Sequence, residues 1–265
     1  MPDELRLRAL SAAVMAPVAL AATWYGGYVF AAMVAVAAVM MAREWDRMTG
    51  GSGGGATTAE TVVAVASAVV LSFLGHVAFA VACMIAAAGA VVLLAVRTGR
   101  EPWLVGAGAL YIGVPAIALL WLRAIPGDGR EHVLWLLLLV WASDIGGYVS
   151  GRAIGGPRLA PRVSPGKTWA GLCGGVVAAA GVGAIVGFLL DQGRIGVTVF
   201  ASATLAVVAQ AGDLLESWLK RRCGIKDTGH VIPGHGGVMD RVDGLVAAAP
   251  IMALLASAAG GSLLR

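Results

Sequence analysis

An all-α polytopic integral membrane protein with about nine transmembrane helices is the fold class this sequence predicts, and three observations predict it. Hydrophobic residues fill 59% of the 265 positions and charged residues only 13%, with a mean hydropathy of +0.85. That is more apolar surface than a soluble domain of this length can bury in one core. The apolar residues fall in successive runs long enough to cross about 30 Å of hydrocarbon, and the basic residues gather on one side once those runs alternate.

The runs cover residues 10–24, 26–42, 61–74, 76–96, 104–122, 132–150, 168–190, 196–219 and 245–264. The first follows Arg6 and Arg8 with no clean small-residue cleavage site ahead of a soluble domain, so it reads as a retained helix and not a removed signal. The first two pairs are so closely spaced that eight or ten spans also fit. Gly50, Gly51, Gly53, Gly54 and Gly55 surround Ser52, a composition that reads as a flexible cytoplasmic linker. It divides an N-terminal hairpin (1–56) from central helices (57–131), and residues 132–265 follow as the region carrying the polar chemistry. Few functional residues are expected before the linker. Gly174, Gly175, Gly181, Gly183 and Gly187 read as packing notches, because small residues let membrane helices approach closely. No internal repeat is visible, which counts against an inverted-repeat transporter. Cys83, Cys173 and Cys223 are scattered and odd in number, so neither a disulfide framework nor a thiolate metal site is indicated.

With alternating spans, Arg6, Arg8, Arg43, Arg47, Arg97, Arg100, Arg152, Arg158, Arg162, Lys167, Lys220, Arg221, Arg222, Lys226 and Arg241 share one side. Only Arg123, Arg130, Arg194 and Arg265 lie on the other. The positive-inside rule then puts the N-terminus and both large polar loops in the cytoplasm. The net charge of +4 therefore speaks of topology and of contact with anionic membrane lipids, while no basic and aromatic surface suggests nucleic acid.

Three polar regions reach that same side. At the end of the eighth run Asp213, Glu216, Ser217 and Lys220 stand at i, i+3, i+4 and i+7, one stripe on a helix. Carboxylates at membrane depth cost at least about 2.5 kcal/mol each unless paired or hydrated, so the stripe is expected either to face a water-filled cavity or to pair Asp213 or Glu216 with Lys220. Asp240 and Asp243 flank Arg241 and put two carboxylates on one face at the start of the last helix, where capping or hard-cation binding together with Asp213 both suit them. Before them, Gly234, His235, Gly236 and Gly237 can form a tight turn or bring backbone N–H groups to phosphate oxygens. Asp144, late in the sixth run, is a further intramembrane carboxylate. Lys167, between Gly166 and Thr168, invites comparison with a nucleotide-binding loop, but Pro161 stands where that loop needs glycine and no strand is read ahead of it. Lys167 can still hold a phosphate as a point charge, with Ser164 and Thr168 as hydroxyl partners.

Taken together, Ser217, Lys220, Arg221, Lys226, Asp227, Thr228, Gly229, Pro233, Gly234, His235, Gly236, Gly237, Asp240, Arg241 and Asp243, with their spacings, closely resemble the signature of the phosphatidate cytidylyltransferases. Trp141 with Asp144, and Ser164, Pro165, Lys167, Thr168 and Trp169, also resemble that family, so the resemblance covers roughly residues 141–244. Two departures stand out: Gly166 replaces a usual lysine, and Ala170 a common glutamate.

The resemblance implies that the phosphate of phosphatidic acid attacks the α-phosphorus of CTP, giving CDP-diacylglycerol and pyrophosphate with support from Mg²⁺ and a possible second cation. On that basis Asp213 and Asp240 are expected to hold Mg²⁺, with Asp243 and Asp144 nearby. Lys220, Arg221, Lys226, Lys167 and Arg241 would contact phosphates, His235 would orient an oxyanion or the metal's water, and Asp227 would pair with a cation or hold the cytidine. The expected setting is the cell inner (plasma) membrane with the site in a cytoplasm-facing cavity, and the resemblance implies a homodimer. A cation-coupled transporter and a CTP-dependent polyprenol kinase are the rival readings.

Overall fold

The computed structural model describes residues 2–190, 194–229 and 236–265, with side chains from residue 13 onward. Nine α-helices appear among them. Eight are long and apolar enough to cross a membrane, and α1 adds the shorter apolar stretch Ala13–Tyr25. The helices lie where hydrocarbon thickness demands apolar runs, so sequence and structure agree to within a few residues at most ends.

The chain forms two compact units, each discontinuous in sequence. The first unit comprises Met1–Ala124 and Cys223–Val242. It holds α1 (Pro2–Tyr25), α2 (Gly27–Met48), α3 (Ala56–Phe73), α4 (Val77–Arg97) and α5 (Pro102–Arg123), with α3, α4 and α5 packed on one another and α2 against α3 and α5. Gly26 between the first two helices has φ +66°, a left-handed conformation that glycine adopts without steric cost. The glycine run expected to be a flexible linker is instead tied down. Asp46 Oδ2 accepts the Gly53 N–H at 2.9 Å and Oδ1 the Thr57 hydroxyl at 2.6 Å. Arg100 pairs with Asp46 at 2.7 Å and also donates to Thr57 and Thr49. A Cβ at Gly51 would lie 2.2 Å from Asp46 Oδ2, so here glycine permits close approach to a buried carboxylate.

The second unit comprises Ile125–Arg222 and Asp243–Arg265. It contains α6 (Gly129–Ile154), α7 (Trp169–Leu189), α8 (Ile195–Arg222) and most of α9, which runs Met239–Ala258. The helix α9 begins six residues before the apolar run suggested, with its charged first turn already helical. An addition to the all-α expectation sits between α6 and α7: strands β1 (Arg158–Ala160) and β2 (Ser164–Thr168) form an antiparallel pair. Lys167 thus lies on a strand where none was expected, although Pro161 still occupies the position a phosphate-binding loop would give to glycine.

Small residues set the helix spacing in this unit. A Cβ at Gly146 would come within 2.6 Å of Ala178 Cβ and 2.8 Å of the Gly174 carbonyl oxygen. At Gly175 it would meet the Ser143 carbonyl at 2.8 Å, and at Gly183 the Thr198 carbonyl at 2.4 Å. Gly187 is similarly crowded, by Thr198 and Ile195, whereas Gly181 faces open space and is not a notch. The side chain of Trp135 on α6 donates to the Ser202 hydroxyl of α8 at 2.8 Å, and both residues are buried. Trp135→Phe is expected to lower thermal stability by about 1 kcal/mol, read as a reduced Tm in detergent. The tail after α9 returns to the start of α6: Ser262 donates to Asp128 Oδ2 at 2.6 Å, and the Leu263 N–H to His132 Nε2 at 3.1 Å. Gly260 and Gly261, at φ +82° and +104°, end the helix, so residues 259–265 do not extend it.

Candidate active site

In the second unit, α6, α7, α8 and α9 gather the intramembrane carboxylates. Gly212 lets α8 and α9 touch, since a Cβ there would lie 2.4 Å from Ala247 Cβ and 3.0 Å from the Asp243 carbonyl oxygen. Its neighbour Asp213 and the carboxylate of Asp243 are brought together by that contact. The charges of Asp213, Glu216 and Asp144 all act on Asp243, so four carboxylates share one electrostatic neighbourhood.

Two lysines compensate them. Lys167 Nζ forms an ion pair with Asp213 Oδ2, and Lys220 Nζ pairs with Glu216 Oε1 at 3.1 Å, one helical turn apart. The side chain of Glu216 is fully buried. Ser217 donates to Asp213 Oδ1 at 3.3 Å. Both carboxylates of the stripe are paired: Lys220 takes Glu216, while Asp213, still 29% exposed, finds its cation on β2. Thr168, expected as a phosphate partner, is buried and accepts the Gly171 N–H at 3.0 Å as the N-cap of α7. That bond positions Lys167, because the cap fixes where β2 ends and the helix begins. Ser164 is half-buried at the other end of β2, and Arg221 is exposed on the last turn of α8.

Of the other predicted residues that are described, Lys226, Asp227, Gly236 and Gly237 lie between α8 and α9 and Asp240 and Arg241 in the first turn of α9, all in the first unit. Lys226, Asp227 and Arg241 are exposed. Asp240 is only 8% exposed, and its Oδ2 accepts from the Thr228 N–H at 2.9 Å, the Thr228 hydroxyl at 3.0 Å and the Gly237 N–H at 2.8 Å. That carboxylate oxygen, expected on Mg²⁺, is occupied in holding the segment together. The Gly237 N–H, expected near phosphate, is donated within the chain as well. Gly236 has φ +80°, which restricts the position to residues tolerant of left-handed backbone. His235, together with Pro233 and Gly234 of the motif, lies outside the described residues.

Sequence reasoning missed Glu44. It sits at the end of α2, buried between the exposed Arg43 and Arg47, and accepts the Val238 N–H at 2.8 Å, the Met239 N–H at 2.9 Å and the Thr228 hydroxyl at 3.2 Å. The only local signal was an acidic pair around Trp45 at the foot of an apolar run.

The donors available to a metal are carboxylate oxygens, which suit a hard cation such as Mg²⁺. Among the described residues no three His, Cys, Asp or Glu groups stand at mutual liganding distance. Mg²⁺ is commonly held by one or two carboxylates completed by substrate phosphates and water, so the oxygen-rich cluster of the second unit fits it without a finished cage.

Eight helices of membrane length among the described residues, with carboxylates and lysines paired inside the second unit, define a multi-pass membrane protein. Comparison with known proteins narrows the class. Residues 6–259 match the cytidylyltransferase family, and the chain belongs to that family. It is 37% identical to the phosphatidate cytidylyltransferase of Brucella suis over 95% of this chain and 93% of that protein. The enzymes of the same name from Haemophilus influenzae and Pseudomonas aeruginosa are 44% and 42% identical, over 47% and 48% of this chain and 45% and 48% of theirs.

Proposed function

We propose that this chain transfers the cytidylyl group of CTP to phosphatidic acid, forming CDP-diacylglycerol and pyrophosphate. The observation that carries the reading is the grouping of Asp144, Asp213, Glu216 and Asp243 with Lys167 and Lys220, in a chain that its relatives match along nearly its whole length. The reaction joins two anions, so its main barrier is charge. A phosphate oxygen of phosphatidic acid forms a bond to the α-phosphorus as the bond to the bridging oxygen breaks, and pyrophosphate carries away the electron pair. Phosphate is already ionised near neutral pH, so no protein base is required.

Asp213, Asp243 and Asp144 would hold Mg²⁺, which when bound supplies charge neutralisation at the transferring phosphoryl group. Lys167, paired with Asp213 in the structure, would turn to a phosphate oxygen of bound substrate. Lys220 keeps Glu216 neutralised, and Arg221 adds positive charge one residue on. By resemblance to the family, and apart from that cluster, exposed Lys226 and Arg241 would each contact a phosphate and Asp227 would hold the cytidine or a cation. Asp240 contributes by fixing their segment. The basic residues' distribution supports an inner-membrane location with the N-terminus and site in the cytoplasm, where CTP is available. A homodimer belongs to the same reading and is checked by light scattering in detergent.

The test is incubation of the detergent-purified protein with phosphatidic acid, Mg²⁺ and radiolabelled CTP. Label should enter the lipid phase with one pyrophosphate released per CDP-lipid, and chelation of the metal should abolish both. Release of CDP with phosphorylation of an added polyprenol would replace this reading with a lipid kinase.

A further inference from the structure

We propose that Glu44 is a positioning residue for this reaction, clamping both flanks of the segment that carries Lys226, Asp227 and Arg241. The proposal rests on the nucleotidyl-transfer reading above. Glu44 is only 1% exposed. Its Oε1 accepts the Val238 N–H, and its Oε2 accepts the Met239 N–H and the Thr228 hydroxyl. Met239 opens α9, so a carboxylate from α2 satisfies N–H groups that a helix start otherwise leaves without partners. Its charge also lies at the positive end of the helix dipole.

Asp240 mirrors this from within the segment, and Thr228 is shared: its hydroxyl lies 3.2 Å from Glu44 Oε2 and 3.0 Å from Asp240 Oδ2. A hydroxyl has one proton, so the two carboxylates compete for it and hold Thr228 between them. Gly237 fills the remaining gap. A Cβ there would lie 2.3 Å from the Thr228 hydroxyl and 2.6 Å from Glu44 Oε2, so the clamp closes only around glycine. Thr228 stands two residues from Lys226 and next to Asp227, and Met239 two residues from Arg241. The geometry of those exposed groups is thus set by a side chain that precedes them by more than 180 residues.

Stability alone is a poor reason for such a group. Burying a carboxylate without a matching cation costs more than apolar packing of the same volume, and two residues along the same helix Asp46 shows the alternative, an ion pair with Arg100. The hydrogen bonds of Glu44 go instead to backbone N–H groups and a hydroxyl of the segment, the pattern of a side chain that fixes a loop.

The experiment uses the full-length protein in one detergent, with Glu44→Ala, Glu44→Gln and, as a comparison, Asp46→Asn. For each, kcat and the KM for CTP are measured separately, together with Tm and amide hydrogen exchange at residues 226–229 and 236–241. Glu44→Ala is expected to lower kcat/KM for CTP about 10- to 100-fold, the size of a small misplacement of binding groups, and to speed exchange in those residues. Glu44→Gln keeps one acceptor oxygen and is expected to fall between wild type and Glu44→Ala. Asp46→Asn should lower Tm without a selective effect on CTP. Wild-type kinetics and exchange in Glu44→Ala would overturn the proposal, as would losses no different in kind from those of Asp46→Asn. Where Glu44→Ala fails to fold, the isosteric Glu44→Gln carries the same outcomes. A wild-type protein that transfers no cytidylyl group sinks the reaction reading instead, and exchange alone then decides whether Glu44 clamps the segment.

Discussion

Asp213→Asn is expected to lower cytidylyl transfer at least about a hundredfold while leaving the protein folded, because it removes charge at the point where charge is handled. Asp213 meets Lys167 on β2 and accepts from Ser217 on its own helix, and the contact of α8 with α9 through Gly212 and Ala247 brings it to Asp243. The amide is nearly the same shape and can still accept from Ser217. What it cannot do is carry the negative charge that pairs with Lys167 and that the proposed Mg²⁺ site would need, and electrostatic terms of this kind are worth about 10²–10³ in rate. Steady-state assays of purified variant and wild type at several Mg²⁺ concentrations check it. A rate within a few-fold of wild type at every concentration would remove Asp213 from the metal assignment. Recovery at raised Mg²⁺ would support it.

Gly146→Val should produce a comparable loss by an unrelated route. No polar group is touched, yet the new side chain must enter a space where even a Cβ would lie 2.6 Å from Ala178 and 2.8 Å from a backbone carbonyl on α7. The helices have to separate. Overpacking of this sort costs about 1–3 kcal/mol in well-packed interiors, and lost helix-to-helix contact adds to it. Asp144 stands two residues earlier on α6 and Lys167 just ahead of α7, so separation also displaces two of the charged groups. A fall in Tm by several degrees together with strongly reduced transfer is the expected pair of results. Gly181→Val, facing open space, provides the control and should leave both unchanged.

Much of this architecture was legible because the bilayer imposes it. A helix must cross hydrocarbon whatever its neighbours do, so apolar run length located the nine helices found among the described residues. Hydropathy alone started the last run at residue 245, but the i, i+3 spacing of Asp240 and Asp243 already placed them at the start of that helix, where α9 holds them. The hairpin of Arg158–Ala160 and Ser164–Thr168 was hidden by Pro161, Pro165 and Gly166, residues that ordinarily argue against strands. The candidate site divided in the same way. Individual carboxylates and lysines stood out, since ionisable groups inside apolar runs demand a reason. Their partners did not: the pairing of Asp213 with Lys167 instead of the nearby Lys220, and everything about Glu44, depends on contacts between distant stretches of chain. Only spacing within a helix can be read locally.

The discontinuity of both units carries a consequence for how the protein is made. The carboxylate of Glu44 is placed in the nascent chain 184 residues before Thr228 exists to receive it, and Asp128 precedes Ser262 by 134. During synthesis each early segment therefore resides in the membrane with a polar group whose eventual partners have not been translated. Neither half of the chain is a self-sufficient fragment: a polypeptide ending at Ala124 would carry Glu44 without the segment that receives it, and one starting at Ile125 would bring that segment without Glu44. Neither unit can close until the last third of the chain has been made.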